Sequence, residues 1–89
     1  MQMFNPPHPG EIIYHRLVED EDGKKIDSIA NIATKLGCHR NSLNRLINSS
    51  ASVSIEMALA LEKVTGSSAK FWLTLQIEYD LFHARAVAS

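Results

Sequence analysis

Cysteine is almost missing from this chain: Cys38 stands alone among 89 residues. A single thiol closes no internal disulfide, so the fold must rest on packing, and the expected location is the cytoplasm. Proline is confined to Pro6, Pro7 and Pro9, which leaves everything downstream free of an obligatory helix breaker. No apolar run approaches the roughly 18 residues that a membrane-spanning helix needs, so no membrane partner is expected. The opening residues 1–7 show no basic region followed by an apolar stretch, and no signal peptide is expected there. Strict alternation of apolar and polar residues is also absent, which argues against strands. His8, His15, His39 and His83 stand at no metal-ligand spacing, so neither a metal nor a cofactor is expected.

What is present describes a small folded domain. Apolar residues make up 45% of the chain, too many for a disordered segment. The formal net charge is only −1, but it is unevenly distributed. Residues 1–23 set Arg16 against Glu11, Glu19, Asp20, Glu21 and Asp22. Residues 24–48 reverse the balance, with Lys24, Lys25, Lys35, Arg40 and Arg45 against Asp27 alone. A basic stretch on a nearly neutral protein is compatible with duplex binding, although it steers weakly at long range.

That basic stretch contains the most telling pattern in the chain. Ile29, Ile32, Leu36, Cys38, Leu43, Leu46 and Ile47 recur at helical spacing, interrupted at Gly37, with the small Ala33 four positions earlier. Between and beyond them stand His39, Arg40, Asn41, Ser42, Asn44, Arg45 and Asn48. Two short helices hinged at a glycine, the second with a polar outer face, form a helix-turn-helix over about residues 28–48. Arg pairs with guanine and Asn with adenine, so Arg40, Asn41, Asn44 and Arg45 are the leading DNA contacts. Which of them meets a base and which a phosphate stays open. Ser42, Lys35, His39 and Asn48 complete the candidate DNA-binding set.

The remaining segments also read as helix or turn. The first helix opens at Pro9, with Glu11 in its first turn and Ile13 and Leu17 on one face, and fades in the acidic run 19–22. A charged connection through Lys24 and Lys25 leads to Asp27 or Ser28 as the next cap. After the polar loop 49–52, Ser54 caps a fourth helix that Gly66 closes, and Ser67 or Ser68 caps a fifth over about residues 69–84. That last helix is apolar on two sides: Phe71, Trp72, Leu75, Tyr79 and Phe82 on one, Leu73, Ile77, Leu81 and Ala84 on the other. A helix of this kind is normally covered on both sides. The cover is either a dimer or partner interface, or Met3 and Phe4 of the N-terminal arm folded back. Cys38 is expected to be a buried, inert thiol.

Beyond the helix-turn-helix, Asn5-Pro6-Pro7-His8-Pro9-Gly10-Glu11-Ile12-Ile13 resembles the opening of the HigA/VapI-type antitoxins, within the Xre/Cro helix-turn-helix family. The stretches Ser54-Ile55-Glu56-Met57-Ala58-Leu59-Ala60-Leu61-Glu62-Lys63 and Gly66-Ser67-Ser68-Ala69-Lys70-Phe71-Trp72-Leu73-Thr74-Leu75-Gln76, with Tyr79-Asp80-Leu81, are similar to that family's fourth and fifth helices. The resemblance spans nearly the whole chain. It implies a single all-α domain over residues 1–89, a five-helix phage-repressor-like (Cro/lambda-repressor) fold. It further implies a homodimer, with Leu73, Ile77 and Leu81 of the last helix as candidate interface residues and Trp72 as either interface or core. The implied partners are double-stranded operator DNA and a HigB-type toxin, with repression of the protein's own operon.

Three departures from the family pattern stand out. The connection from Glu19 to Lys25 is longer than the family's usual link. The loop Asn48-Ser49-Ser50-Ala51-Ser52 lacks both glycines and the basic residue of the usual Asn-Gly-Arg/Lys-x-Gly, removing a phosphate contact and a residue suited to positive φ. His39 replaces the usual Ser or Thr cap of the reading helix. Two alternatives therefore stand beside the antitoxin reading: a stand-alone regulator of the same fold, and a toxin-binding module that has lost its operator. No constellation of nucleophile, base and oxyanion donors can be assembled, so an enzyme is not expected. The Ser67-Ser68-Ala69-Lys70 string matches the Ser-x-x-Lys of β-lactamase-type enzymes only by chance.

Overall fold

Each helix of this protein begins and ends where a particular side chain satisfies or releases the backbone. The structure is a computed structural model and describes residues 5–88, so the expectation for Met3 and Phe4 lies outside the described residues. Helix α1 spans Pro9–Ile13, α2 Ile29–Leu36, α3 Arg40–Ile47, α4 Ile55–Thr65 and α5 Ala69–Ala88. Helix α1 continues directly into a π-helical turn, Tyr14–Val18. Among the described residues there is no strand, only an isolated antiparallel bridge between Glu19 and Lys25. The fold is the all-α five-helix domain that the resemblance implied.

Serine hydroxyls open three of the helices. Ser28 accepts the Asn31 amide at 3.1 Å, Ser54 the Met57 amide at 3.1 Å and Ser68 the Phe71 amide at 3.0 Å. Each bond satisfies a donor that the first helical turn leaves without a partner. Helix α1 is capped by His8, whose Nδ1 accepts from Gly10 N at 2.9 Å while the Glu11 carboxylate accepts from His8 N at 3.1 Å.

The core draws on every helix. Ile13, Ile32, Leu36, Leu43, Leu46, Val53, Ala58, Leu61 and Trp72 are buried together. Each large apolar side chain removed from water stabilises the fold by about 1.5–3 kcal/mol. Helix α3 packs on both α1 and α2, and α4 on both α2 and α5. Gln76, buried on α5, accepts the Val53 amide at 2.9 Å and donates to Asp80 at 3.0 Å. It thereby fastens the segment that follows α3 to the last helix.

Two stretches differ from the sequence reading. The last helix runs to Ala88 rather than stopping near residue 84, because Ala84-Arg85-Ala86-Val87-Ala88 contains neither glycine nor proline to end it. The charged connection after α1 is closed into a hairpin, a shape the sequence reading did not assign. Asp20 N donates to the Lys24 carbonyl at 2.8 Å, and the Asp20 carboxylate accepts the amides of Asp22 and Lys24.

Candidate nucleic-acid interface

Helix α2 ends because Gly37 adopts φ 73°, a conformation glycine reaches without a Cβ clash. The Gly37 amide donates to the Thr34 carbonyl at 3.1 Å and the Cys38 amide to the Ala33 carbonyl at 3.0 Å. These paired bonds form a Schellman turn that aims the chain into α3. Cys38 is half-buried there, and burial pushes its thiol pKa up, so it is protonated and unreactive at neutral pH.

Helix α3 then divides cleanly. Leu43 and Leu46 are buried and Ile47 half-buried, whereas Arg40, Asn41, Ser42, Arg45 and Asn48 are exposed and Asn44 is half-exposed. At about 100° per residue, Asn41, Arg45 and Asn48 centre on the outward face, Asn44 flanks it, and Arg40 and Ser42 sit at its two edges. Among the described residues, none of these six side chains makes a hydrogen bond or ion pair within the protein. A row of hydrogen-bonding groups left unpaired in this way is available to base edges and phosphates.

Lys35 is less available. Its Nζ lies 3.1 Å from Asp27, which also accepts from Asn31 Nδ2 at 3.0 Å and from the Ser28 amide at 2.8 Å. Hydrogen bonding by Asn31, Lys35 and Ser28 holds the Asp27 carboxyl below its ordinary pKa. An exposed pair of this kind is weak, so a phosphate can compete for Lys35. His39 is exposed at the N-cap position, but its side chain accepts no backbone amide. It therefore does not take over the cap that the family's Ser or Thr provides.

Three features shape this surface without contributing to its outward face. Gly10 packs so closely on α3 that an added Cβ would fall on the Leu46 carbonyl oxygen. The sequence marked Gly10 only as part of a family motif; its task is to let α1 touch the backbone of the reading helix. His8 is buried, stands edge-on to Tyr79 at 4.7 Å, and is hydrogen-bonded to the Ala51 backbone. Desolvation lowers its pKa, with Ala51, Asp80 and Glu11 acting in the opposite direction. A neutral imidazole thus joins α1, α5 and the loop after α3. In that loop Ser49 takes φ 63°, the left-handed conformation for which the family's glycine is suited.

The second apolar side of α5 faces outward. Ile77 is 56% and Leu81 41% exposed, Leu73 is half-buried and Ala84 exposed. Trp72 requires a correction: it is 0% exposed, closed within the core of its own chain, and has no surface to offer a second copy. Helical spacing explains this: Trp72 lies about 140° round the helix from Ile77, on the side of Gln76 and Tyr79.

Comparison with known proteins agrees with this arrangement. A family model described as helix-turn-helix matches residues 24–72. The uncharacterized HTH-type transcriptional regulator YbaQ of Escherichia coli K12 is 39% identical over 77 residues, covering 86% of this chain. The chain spans only 65% of that relative's length. A putative antidote protein of a plasmid maintenance system from Nostoc punctiforme superposes with a TM-score of 0.83 at 32% identity, covering 96% of this chain and 88% of that one. The Pseudomonas aeruginosa antitoxin HigA, solved with the higBA promoter, gives 0.79 at 33% identity, covering 92% and 85%. These are DNA-binding regulators and antitoxins rather than enzymes. With a reading helix free on its outer face and matches that span the domain, the chain belongs to the Xre-type helix-turn-helix family, among the relatives of the HigA antitoxins.

Proposed function

We propose that the protein is the DNA-binding antitoxin of a HigBA-like module. It binds a palindromic operator as a homodimer, represses its own operon and neutralises a HigB-type toxin. The observation that carries this reading is the unpaired polar face of α3, held outward by Leu43 and Leu46. Two copies of that helix, set about 34–36 Å apart, enter successive major grooves of one duplex. The exposed stripe of Leu73, Ile77 and Leu81 on α5 supports pairing of two copies, since small domains seldom leave such a stripe in water. The toxin half of the reading leans on the antitoxin relatives.

A gel shift with the DNA upstream of the protein's own gene, at moderate salt, tests the operator. A palindrome-dependent shift is expected, and its absence would remove the proposal. Arg45→Ala should weaken that shift. If Arg45 reads a base, the loss is about 1–3 kcal/mol of discrimination per half-site; if it meets a phosphate, the salt slope falls by about 0.9 per subunit, or about 1.8 for the dimer.

A further inference from the structure

The hairpin of residues 19–25 is the part of this chain that departs most from the family pattern, and most of it precedes the family match, which begins at residue 24. It is firmly built. Besides the bonds around Asp20, Gly23 N donates to the Asp20 carbonyl at 3.0 Å, and Ile26 N to the Val18 carbonyl at 2.6 Å. These bonds fix the backbone from which its lysines project. Lys25 lines a groove on the molecular surface together with Tyr14, Glu19, Ser28 and Arg40. Lys24, its neighbour, does not line that groove. Among the described residues, neither Lys25 nor Arg40 is in an ion pair.

The geometry of α3 bears on the role of Arg40. It sits at the edge of the helix, about 100° from Asn41 and towards the side of Leu43 and Ile47. It is therefore turned away from the centre of the reading face and towards the hairpin. Two unpaired cations from different elements, meeting in one groove beside a reading helix, suit a group of diffuse negative charge. We propose that Lys25 and Arg40 together hold one backbone phosphate of the duplex that α3 reads. The hairpin thereby restores a phosphate contact of the kind that the serine-rich loop 49–52 has lost. Glu19 lies in the same groove and opposes the anion, setting its strength. This inference rests on the operator-binding reading above.

Salt-dependent binding tests it, with the upstream DNA and a random-sequence duplex of about 20 base pairs, enough for two successive grooves, as probes. Lys25→Ala should lower the salt slope by about 1.8 and weaken binding roughly thirtyfold at 0.15 M salt, the share of two released counterions, one from each subunit of the dimer. The loss should be equal on both duplexes, since a phosphate carries no sequence. Arg40→Ala should behave in the same way, Lys24→Ala like the wild type, and Glu19→Gln should bind more tightly. Thermal melts of each variant verify that the exposed substitutions leave the fold intact. An unchanged slope for Lys25→Ala, with Arg45→Ala still impaired, overturns the clamp and leaves operator binding standing. A wild-type protein with no palindrome-dependent shift overturns both.

Discussion

The reading helix and the helices that carry it are built to different standards. Helices α2, α4 and α5 each open on a serine cap, α1 opens on the reciprocal His8–Glu11 bonds, and α2 and α4 close on glycines in the left-handed conformation. Helix α3 has none of these devices. His39 leaves its first turn uncapped, and its last turn closes on Ser49 at φ 63°. The turn after α3 nevertheless has the same hydrogen-bond pattern as the turn after α2. Ser49 N donates to Leu46 at 3.1 Å and Ser50 N to Arg45 at 2.8 Å, the counterparts of the bonds around Gly37. The same motif is thus formed once by the residue suited to it and once by a strained one. The difference teaches that α3 is held by its inward face, through Leu43, Leu46 and the close approach of Gly10, more than by its ends.

If that is so, the largest effect should come from breaking the inward contact. Gly10→Ala sets a methyl group against the backbone of Leu46, and should cost about 3 kcal/mol, measured by urea unfolding. A near-neutral result would show that α1 does not locate the reading helix. Acid should act next, through His8. Its folded-state pKa lies below the ordinary 6.5, so below that pH the unfolded chain takes up a proton that the buried imidazole resists. Stability should be level above pH 6.5 and fall as the pH drops towards the folded value. His8→Asn, which keeps a capping side chain, should flatten the decline in a pH series of thermal melts.

Two gains should sharpen the contrast from the other side. Ser49→Gly relieves the left-handed serine and should stabilise the protein by about 1 kcal/mol, the strain relieved less the entropy glycine returns to the unfolded chain. The same change at a position with ordinary φ would destabilise. Smallest is His39→Ser, which supplies the missing cap and should add roughly 0.5–1 kcal/mol. Both substitutions leave Asn41 and Arg45 untouched, so raised melting temperatures with unchanged duplex affinity are the expected joint result. A change in affinity would show that the loose ends of α3 serve DNA fitting.

Much of this architecture was legible beforehand because its causes are local. Ser28, Ser54 and Ser68 cap whatever helix follows them, and Gly37 and Gly66 end what precedes them. The two faces of α5 follow from residue spacing alone. The Trp72 assignment missed because hydrophobicity shows that a side chain is to be covered, not which surface covers it. His8 was equally hidden: its ring is enclosed by Tyr79, seventy-one positions away in the chain, and by Ala51. Gly10 gave no sign of its neighbour, since close approach is a property of two segments. The hairpin was seen only as a charged link because its closing bonds depend on Asp20 folding back over Lys24.

Sequence by itself determined the helix count, the glycine hinge and the polar face of α3, because caps, breakers and a period of 3.6 residues act over one or two turns. Tertiary structure alone decided that Trp72 is core, that Lys35 is paired with Asp27, and that Lys25 shares a groove with Arg40. The physical reason is range. Burial, ion pairing and shared surfaces join residues distant in the chain, and no local pattern records which distant partner the packed chain will bring alongside.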